Sequence, residues 1–128
     1  MKSENLRHIT QTGVLKDAPY GFTARFESGP GTNPEELLGA AHAGCFTMAL
    51  SLILGEAGMI ADTIRTTAEV TLDKLADGYA ITAIHLDVRA KIPGADSAAF
   101  EQAAAAAKSG CPVSKVLNAK ITMDARLE

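Results

Sequence analysis

From position 37 to position 55 the chain carries no charged side chain, and its apolar residues (LLGAAHAGCFTMALSLILG) fall on every side of a helix rather than along one stripe. A helix that is apolar all round is buried all round, so this stretch predicts a core helix. Its start is encoded in Asn33-Pro34-Glu35-Glu36. Asn33 supplies an N-cap, Pro34 fits a first turn that needs no N–H, and the two carboxylates suit the positive end of the peptide dipoles. Glu36, three residues after the cap, completes a capping box. The helix should stop near Gly55 or Gly58.

Beyond it the period changes to two. Ile64, Thr66, Ala68, Val70 and Leu72 alternate inward, and after an Asp77-Gly78 turn Tyr79, Ile81 and Ala83, then Ile84, Leu86, Val88 and Ala90, do the same. The change of phase at Ala83-Ile84 predicts a bulge, and the two runs predict an antiparallel hairpin with one wet face. Ile92-Pro93-Gly94 stops it. Asp96 or Ser97 caps a second helix over residues 98–109 that ends at Gly110, Pro112 opens a short helix over 112–117, and residues 121–127 close the chain as a strand.

Upstream of the long helix, residues 1–12 are polar and should fray or form an edge strand. Residues 13–16 and 20–26 predict short strands split by the turn Asp17-Ala18-Pro19, with Phe22, Ala24 and Phe26 on one face and Thr23 and Arg25 on the other. Residues 27–32 (ESGPGT) form a loop by composition. Strands, long helix, hairpin, helices and strand, in that order, predict an α+β fold.

At 128 residues this is one domain with enough chain to bury a core. The apolar fraction of 47% excludes disorder, and aromatics at 5% with no Trp mean an aliphatic and Ala-rich interior. A net charge of -3 without any basic run argues against a nucleic-acid partner. The uncharged run is as long as a membrane span, but it holds Gly39, His42, Gly44, Thr47 and Ser51 and is followed by amphipathic strands, so a core helix is the expectation. The first residues have no apolar h-region; a cytoplasmic protein is expected.

Two cysteines cannot staple a fold, and in a reducing compartment they are either buried thiols or a working redox couple. Cys45 sits in the middle of the uncharged run. It is read either as a small hydrophobe or as a nucleophile, and the second needs an imported positive charge, because an apolar setting raises a thiol's pKa and the helix N-terminus is about three turns away. His42, one turn earlier on the same face, can partner Cys45, although a packed or hydrogen-bonded core histidine is the commoner fate. Arg25 is either a solvated strand arginine or a guanidinium that Glu35 holds in a bidentate fork over the cysteine. Cys111, at the N-cap of the helix that opens with Pro112, faces free backbone N–H groups, so local reasoning makes it the more acidic sulfur. Sequence separation does not say whether the cysteines meet. If they do, one can be oxidised to a sulfenic acid with which the other condenses. His8, His42 and His85 lack metal-ligand spacing with either cysteine, Gly29, Gly31, Gly39 and Gly44 make no phosphate-binding fingerprint, and Asp73, Asp77 and Asp87 fall at turn or solvent-facing positions.

Three stretches, PYGFTARFE (19–27), GTNPEELLGAAHAGCFTMALS (31–51) and KSGCPVSKVLNAKIT (108–122), closely resemble the OsmC/Ohr family of thiol-dependent peroxidases. NPEEL followed by AHAxCF at this spacing is highly specific. His42 matches the OsmC branch, where the Ohr branch commonly has Tyr. The resemblance implies an OsmC-like fold with an antiparallel sheet on a long buried central helix, an intertwined homodimer, and no cofactor or metal. It also implies reduction of organic hydroperoxides, hydrogen peroxide less well, at the expense of an external dithiol reductant. It makes Cys45 the peroxidatic and Cys111 the resolving cysteine, Arg25 the residue that activates the thiolate, and Glu35 the one that positions Arg25. This reverses the local ranking of the sulfurs, since a guanidinium in a low-dielectric pocket outweighs an exposed helix-end effect below about 1 kcal/mol. With no Trp in the chain, the family's usual first strand, which carries a Trp-x-Gly segment, is expected to be absent from a single domain spanning 1–128. Two readings from other classes compete: a non-enzymatic binder of apolar ligands, and a structural stress-response dimer.

Overall fold

A computed structural model describes residues 7–8, 10–20 and 31–128. The chain divides into two compact units, Met1–Leu38 and Gly39–Glu128. In the first, β1 (Arg7–His8) and β2 (Ala18–Pro19) pair antiparallel, Arg7 opposite Pro19 and His8 opposite Ala18. The strand expected over 13–16 is instead a turn. The Thr10 N–H donates to the Leu15 carbonyl at 2.8 Å, the Leu15 N–H returns to Thr10 Oγ1 at 3.1 Å, and Gly13 takes a positive φ of 80°. Threonine hydroxyls bonded to nearby backbone offer the chain an alternative to a ladder, and here that alternative wins. The bend at Asp17 (φ 49°) brings Ala18–Pro19, expected as turn, into pairing. Tyr20 bridges to Thr32, and residues 21–26 of the expected strand, with residues 27–30 of the loop, lie outside the described residues.

The long helix, α1, runs Pro34–Glu56. Asn33 Oδ1 accepts the Glu36 N–H at 2.8 Å, as the cap requires. At the other end Gly58 (φ 79°) permits a Schellman turn: the Met59 N–H reaches the Leu54 carbonyl at 2.8 Å and the Gly58 N–H the Gly55 carbonyl at 3.0 Å. The expectation of burial on every face is not met. Gly39, His42, Phe46, Leu50 and Leu54 form one buried stripe, while Met48 is 75% and Leu52 65% exposed. Composition marks a helix that needs cover all round, and one chain provides it on one side only.

That cover is a three-stranded sheet and a second helix. β3 (Thr63–Leu75) and β4 (Gly78–Lys91) form the expected hairpin, tied by a two-residue turn before Gly78 (φ 128°). The register shifts between Thr71 and Leu72, which face Ala83 and Ile81, so the extra residue is Thr82, one place before the predicted phase change. The last strand, β5 (Lys120–Leu127), lies beside β4 but parallel to it, so the sheet is mixed rather than antiparallel throughout. The reason is the intervening helical connection, α2 (Ser97–Gly110) and α3 (Pro112–Val116), which returns the chain to the end where β4 began.

Helix α2 starts at Asp96, whose carboxylate accepts the Ala99 N–H at 3.0 Å, and buries Phe100, Ala103, Ala104 and Ala107. These meet Phe46, Leu50 and Leu54 of α1 and Ile84, Leu86, Val88 and Ala90 of β4 in a single core. Gly39 brings α1 close to β3, since a Cβ there would stand 3.3 Å from the Ala68 carbonyl oxygen and Val70 Cγ2. A 2.7 Å bond between the Thr47 and Thr66 hydroxyls fixes the helix on the strand.

Candidate active site

The helices carry the chemistry. Cys45 lies on the flank of α1 between the buried stripe and the open face, and is partly exposed; Cys111, the junction residue between α2 and α3, is fully buried. The chain reverses there because the Cys111 N–H still closes the last turn of α2, on the Ala107 carbonyl at 3.0 Å, while its own carbonyl accepts from Lys115 as the first acceptor of α3. Pro112 at the first position of α3 makes the restart inexpensive. The result is that two free thiols, far apart in sequence, stand with their sulfurs 2.8 Å apart.

Their electrostatic settings differ. Burial pushes the Cys45 thiol above its ordinary range, and the neighbouring Cys111 sulfur raises it further by hydrogen bonding and by charge, against a modest lowering from the Val113 N–H. Burial also pushes Cys111 up, but there the opposing groups win: the hydrogen bond with Cys45, the N–H and hydroxyl of Ser114, and the Val113 N–H hold it below the usual thiol value. None of the α3 donors makes a close side-chain cap bond to Cys111; they act as oriented dipoles at the start of a helical turn. The two thiols titrate as an interacting pair, with the more acidic setting at Cys111. This agrees with the local ranking made from the sequence.

An open cleft of about 950 Å³ leads to Cys45. Its walls are Ala41, Gly44, Met48 and Leu52 of α1 on one side and Ala106, Gly110 and Pro112 on the other, almost wholly apolar. Small residues at Ala41 and Gly44 leave the space open beside the sulfur.

The two predicted charged residues fare differently. Glu35 occupies the first turn of α1 and is buried, at 8% exposure. Arg25 lies outside the described residues. His42 is fully buried, with Nε2 and the Ser114 hydroxyl 2.7 Å apart, so it is the hydrogen-bonded core histidine of the commoner reading. Burial lowers its pKa, favouring neutral imidazole. The part played by Ser114 was missed from sequence. A serine on the first turn after a Cys-Pro pair is a weak signal, and its partner 72 residues earlier is visible only in three dimensions. Among the described residues no group of three or more His, Cys, Asp or Glu side chains gathers to hold a metal ion.

A dithiol at the foot of an apolar cleft, on an α+β frame, defines a class of thiol-based redox proteins. The comparisons with known proteins agree. The OsmC-like protein family matches residues 27–126, and the chain belongs to this OsmC family. It is 56% identical over 119 residues to peroxiredoxin OsmC of Escherichia coli strain K12, covering 93% of this chain and 83% of that protein. It is 28% identical over 99 residues to an organic hydroperoxide resistance protein of Xanthomonas axonopodis pv. citri, covering 73% and 64%. The crystal structure of the organic hydroperoxide resistance protein OhrB of Bacillus subtilis superposes with a TM-score of 0.74 at 24% identity, over 98% of this chain and 93% of that one, which establishes the shared fold. The chain is thus a thiol peroxidase of the peroxiredoxin type.

Proposed function

We propose that this peroxidase reduces organic hydroperoxides, in preference to hydrogen peroxide, through a Cys45 sulfenic acid and a Cys45–Cys111 disulfide. The observation that carries the reading is the 2.8 Å approach of the two free thiols at an apolar cleft. The Cys45 thiolate attacks the distal oxygen of ROOH; the O–O bond breaks, ROH leaves with a proton, and Cys45 becomes S–OH. The Cys111 thiolate attacks that sulfur, the S–O bond breaks, and hydroxide departs as water once protonated. An external dithiol then reduces the disulfide by exchange.

Arg25, positioned by Glu35, stabilises the thiolate and the charge developing on the peroxide oxygens. Such a cation is what the Cys45 setting calls for, because burial and the neighbouring sulfur raise its thiol pKa. Walls such as Met48 and Leu52 hold the organic group of the substrate by burial of apolar surface. The same exposed apolar face supports the homodimer expected from the sequence, in which a second copy covers Met48 and Leu52 and roofs the cleft. The protein works in the cytoplasm as a single domain over 1–128.

The test is a free-thiol count and intact mass on reduced protein after one equivalent of cumene hydroperoxide, with hydrogen peroxide in parallel. Loss of both thiols and of two hydrogens in mass, faster with the organic peroxide, is the expected result. Thiols that stay intact while an apolar ligand still binds would favour the binding-module reading.

A further inference from the structure

The 2.7 Å bond between His42 and Ser114 has no place in the cycle just described, yet it joins the two elements that carry the cysteines. His42 lies three residues before Cys45 on α1, and Ser114 three residues after Cys111 on α3. The bond is therefore a second rung beside the sulfur–sulfur contact, 2.7 Å next to 2.8 Å. Both ends are sequestered, His42 fully and Ser114 at 9% exposure, so water does not compete for it. His42 Nδ1 has no hydrogen-bond partner among the described residues. A bare lone pair there costs less than a bare N–H, so the tautomer is the one with hydrogen on Nε2. His42 then donates to Ser114 Oγ, and the one hydroxyl hydrogen of Ser114 is left to turn toward Cys111.

We infer that His42 and Ser114 form a positioning clamp for the resolving step, holding Cys111 within reach of oxidised Cys45 and aiming the Ser114 hydroxyl at the attacking sulfur. The inference rests on the two-cysteine reading above. The condensation that it assists is balanced as written: Cys45–SOH and Cys111–SH give the disulfide and water. His42 neither gains nor loses a proton in it. The depressed pKa of Cys111, to which the Ser114 hydroxyl contributes, agrees with this arrangement.

The experiment compares wild type with His42→Leu, Ser114→Ala, the double variant and the conservative His42→Gln, which keeps an N–H donor near the place of Nε2. Each reduced protein is mixed with cumene hydroperoxide and quenched over time, with and without dimedone. Mass spectrometry then separates the rate of Cys45 oxidation from that of disulfide formation. The clamp predicts that the ratio of condensation to oxidation falls about tenfold in His42→Leu and in Ser114→Ala, the scale of one buried hydrogen bond. It predicts little further loss in the double variant and substantial recovery in His42→Gln. Both rates falling together, or a ratio unchanged in Ser114→Ala, would overturn the clamp. A wild type that forms no disulfide would overturn the two-cysteine reading itself, and the clamp with it, so the two failures are distinguishable. If His42→Leu does not fold, Ser114→Ala against wild type still decides the matter.

Discussion

Cys45 and Cys111 touch, yet each has what the other lacks. Cys45 is partly exposed at the cleft but has a raised pKa; Cys111 has the lowered pKa but is sealed from solvent. A peroxide can reach the first, while the more acidic setting belongs to the second. The contrast teaches that acidity and access are separate properties of a cysteine, and that a reactive one needs both in the same place. It fits the parts proposed above: a sealed thiol is out of reach of an incoming peroxide and well placed to attack a sulfenic acid that forms beside it.

The largest effect tests that division directly. Cys45→Ser should lower hydroperoxide consumption on the order of 10³-fold or more, as loss of a nucleophile does. Cys111→Ser should still consume one equivalent, stop at the sulfenic acid, and yield a dimedone adduct by mass spectrometry. The second variant also sharpens the electrostatic half of the comparison. Burial alone would still hold the Cys45 thiol up, but the two contributions from Cys111 vanish, so Cys45 should be alkylated by iodoacetamide faster at neutral pH than in the reduced wild type. No acceleration would mean that Cys111 is not what suppresses Cys45.

Next in size is the imported charge. Arg25→Ala should slow the oxidation of Cys45 by about 10²-fold, the scale found when one preorganised donor to a developing charge is removed. Condensation with Cys111, which calls for no cation, should keep its rate. A slowing of assembly in place of chemistry would instead favour the structural-dimer reading. A smaller effect belongs to the cleft. Leu52→Asp puts a carboxylate on its apolar wall and on the exposed face of α1, and should raise KM for cumene hydroperoxide several-fold while leaving that for hydrogen peroxide nearly unchanged. The same substitution should shift the sedimentation coefficient toward monomer.

The two halves of α1 also mark where sequence reasoning succeeded and where it ended. Its N-cap, its glycine-bearing C-terminus and the hairpin that follows were all legible, because caps, turns and alternation are local signals. The buried stripe and the open face were not separable, since Phe46 and Leu50 on one side and Met48 and Leu52 on the other read alike in hydropathy. Only the tertiary partners distinguish them. The parallel entry of β5 was hidden for the same reason: a strand's pattern names its wet face, not its direction. At the site, the Cys111 cap position was legible from Cys-Pro, and the lowered pKa of Cys111 followed from it. The meeting of the sulfurs and the bond from His42 to Ser114 needed the fold, because they depend on how α1 packs against the α2–α3 corner.

The smallest effect concerns pH and the clamp that lies behind the two sulfurs. His42 is buried, and its pKa is lowered by desolvation from the ordinary histidine value near 6.5. In the unfolded chain it takes up a proton as pH falls through 6.5, while in the folded protein it stays neutral to lower pH. Between the folded and unfolded values the unfolded state thus binds more protons, and stability rises with pH across that window. Above 6.5 both states are neutral at this residue and the penalty is absent. Wild type should therefore lose melting temperature between pH 7 and the acid side of that window, and His42→Gln, which cannot titrate, should lose measurably less. Thermal unfolding of reduced protein at a series of pH values checks the difference, which cancels carboxylates common to both. Equal slopes would mean that the folded protein admits a protonated His42. The Nε2–H donor would then no longer fix the direction of the Ser114 hydroxyl by tautomer alone, since imidazolium would leave a second buried N–H on Nδ1 in need of an acceptor.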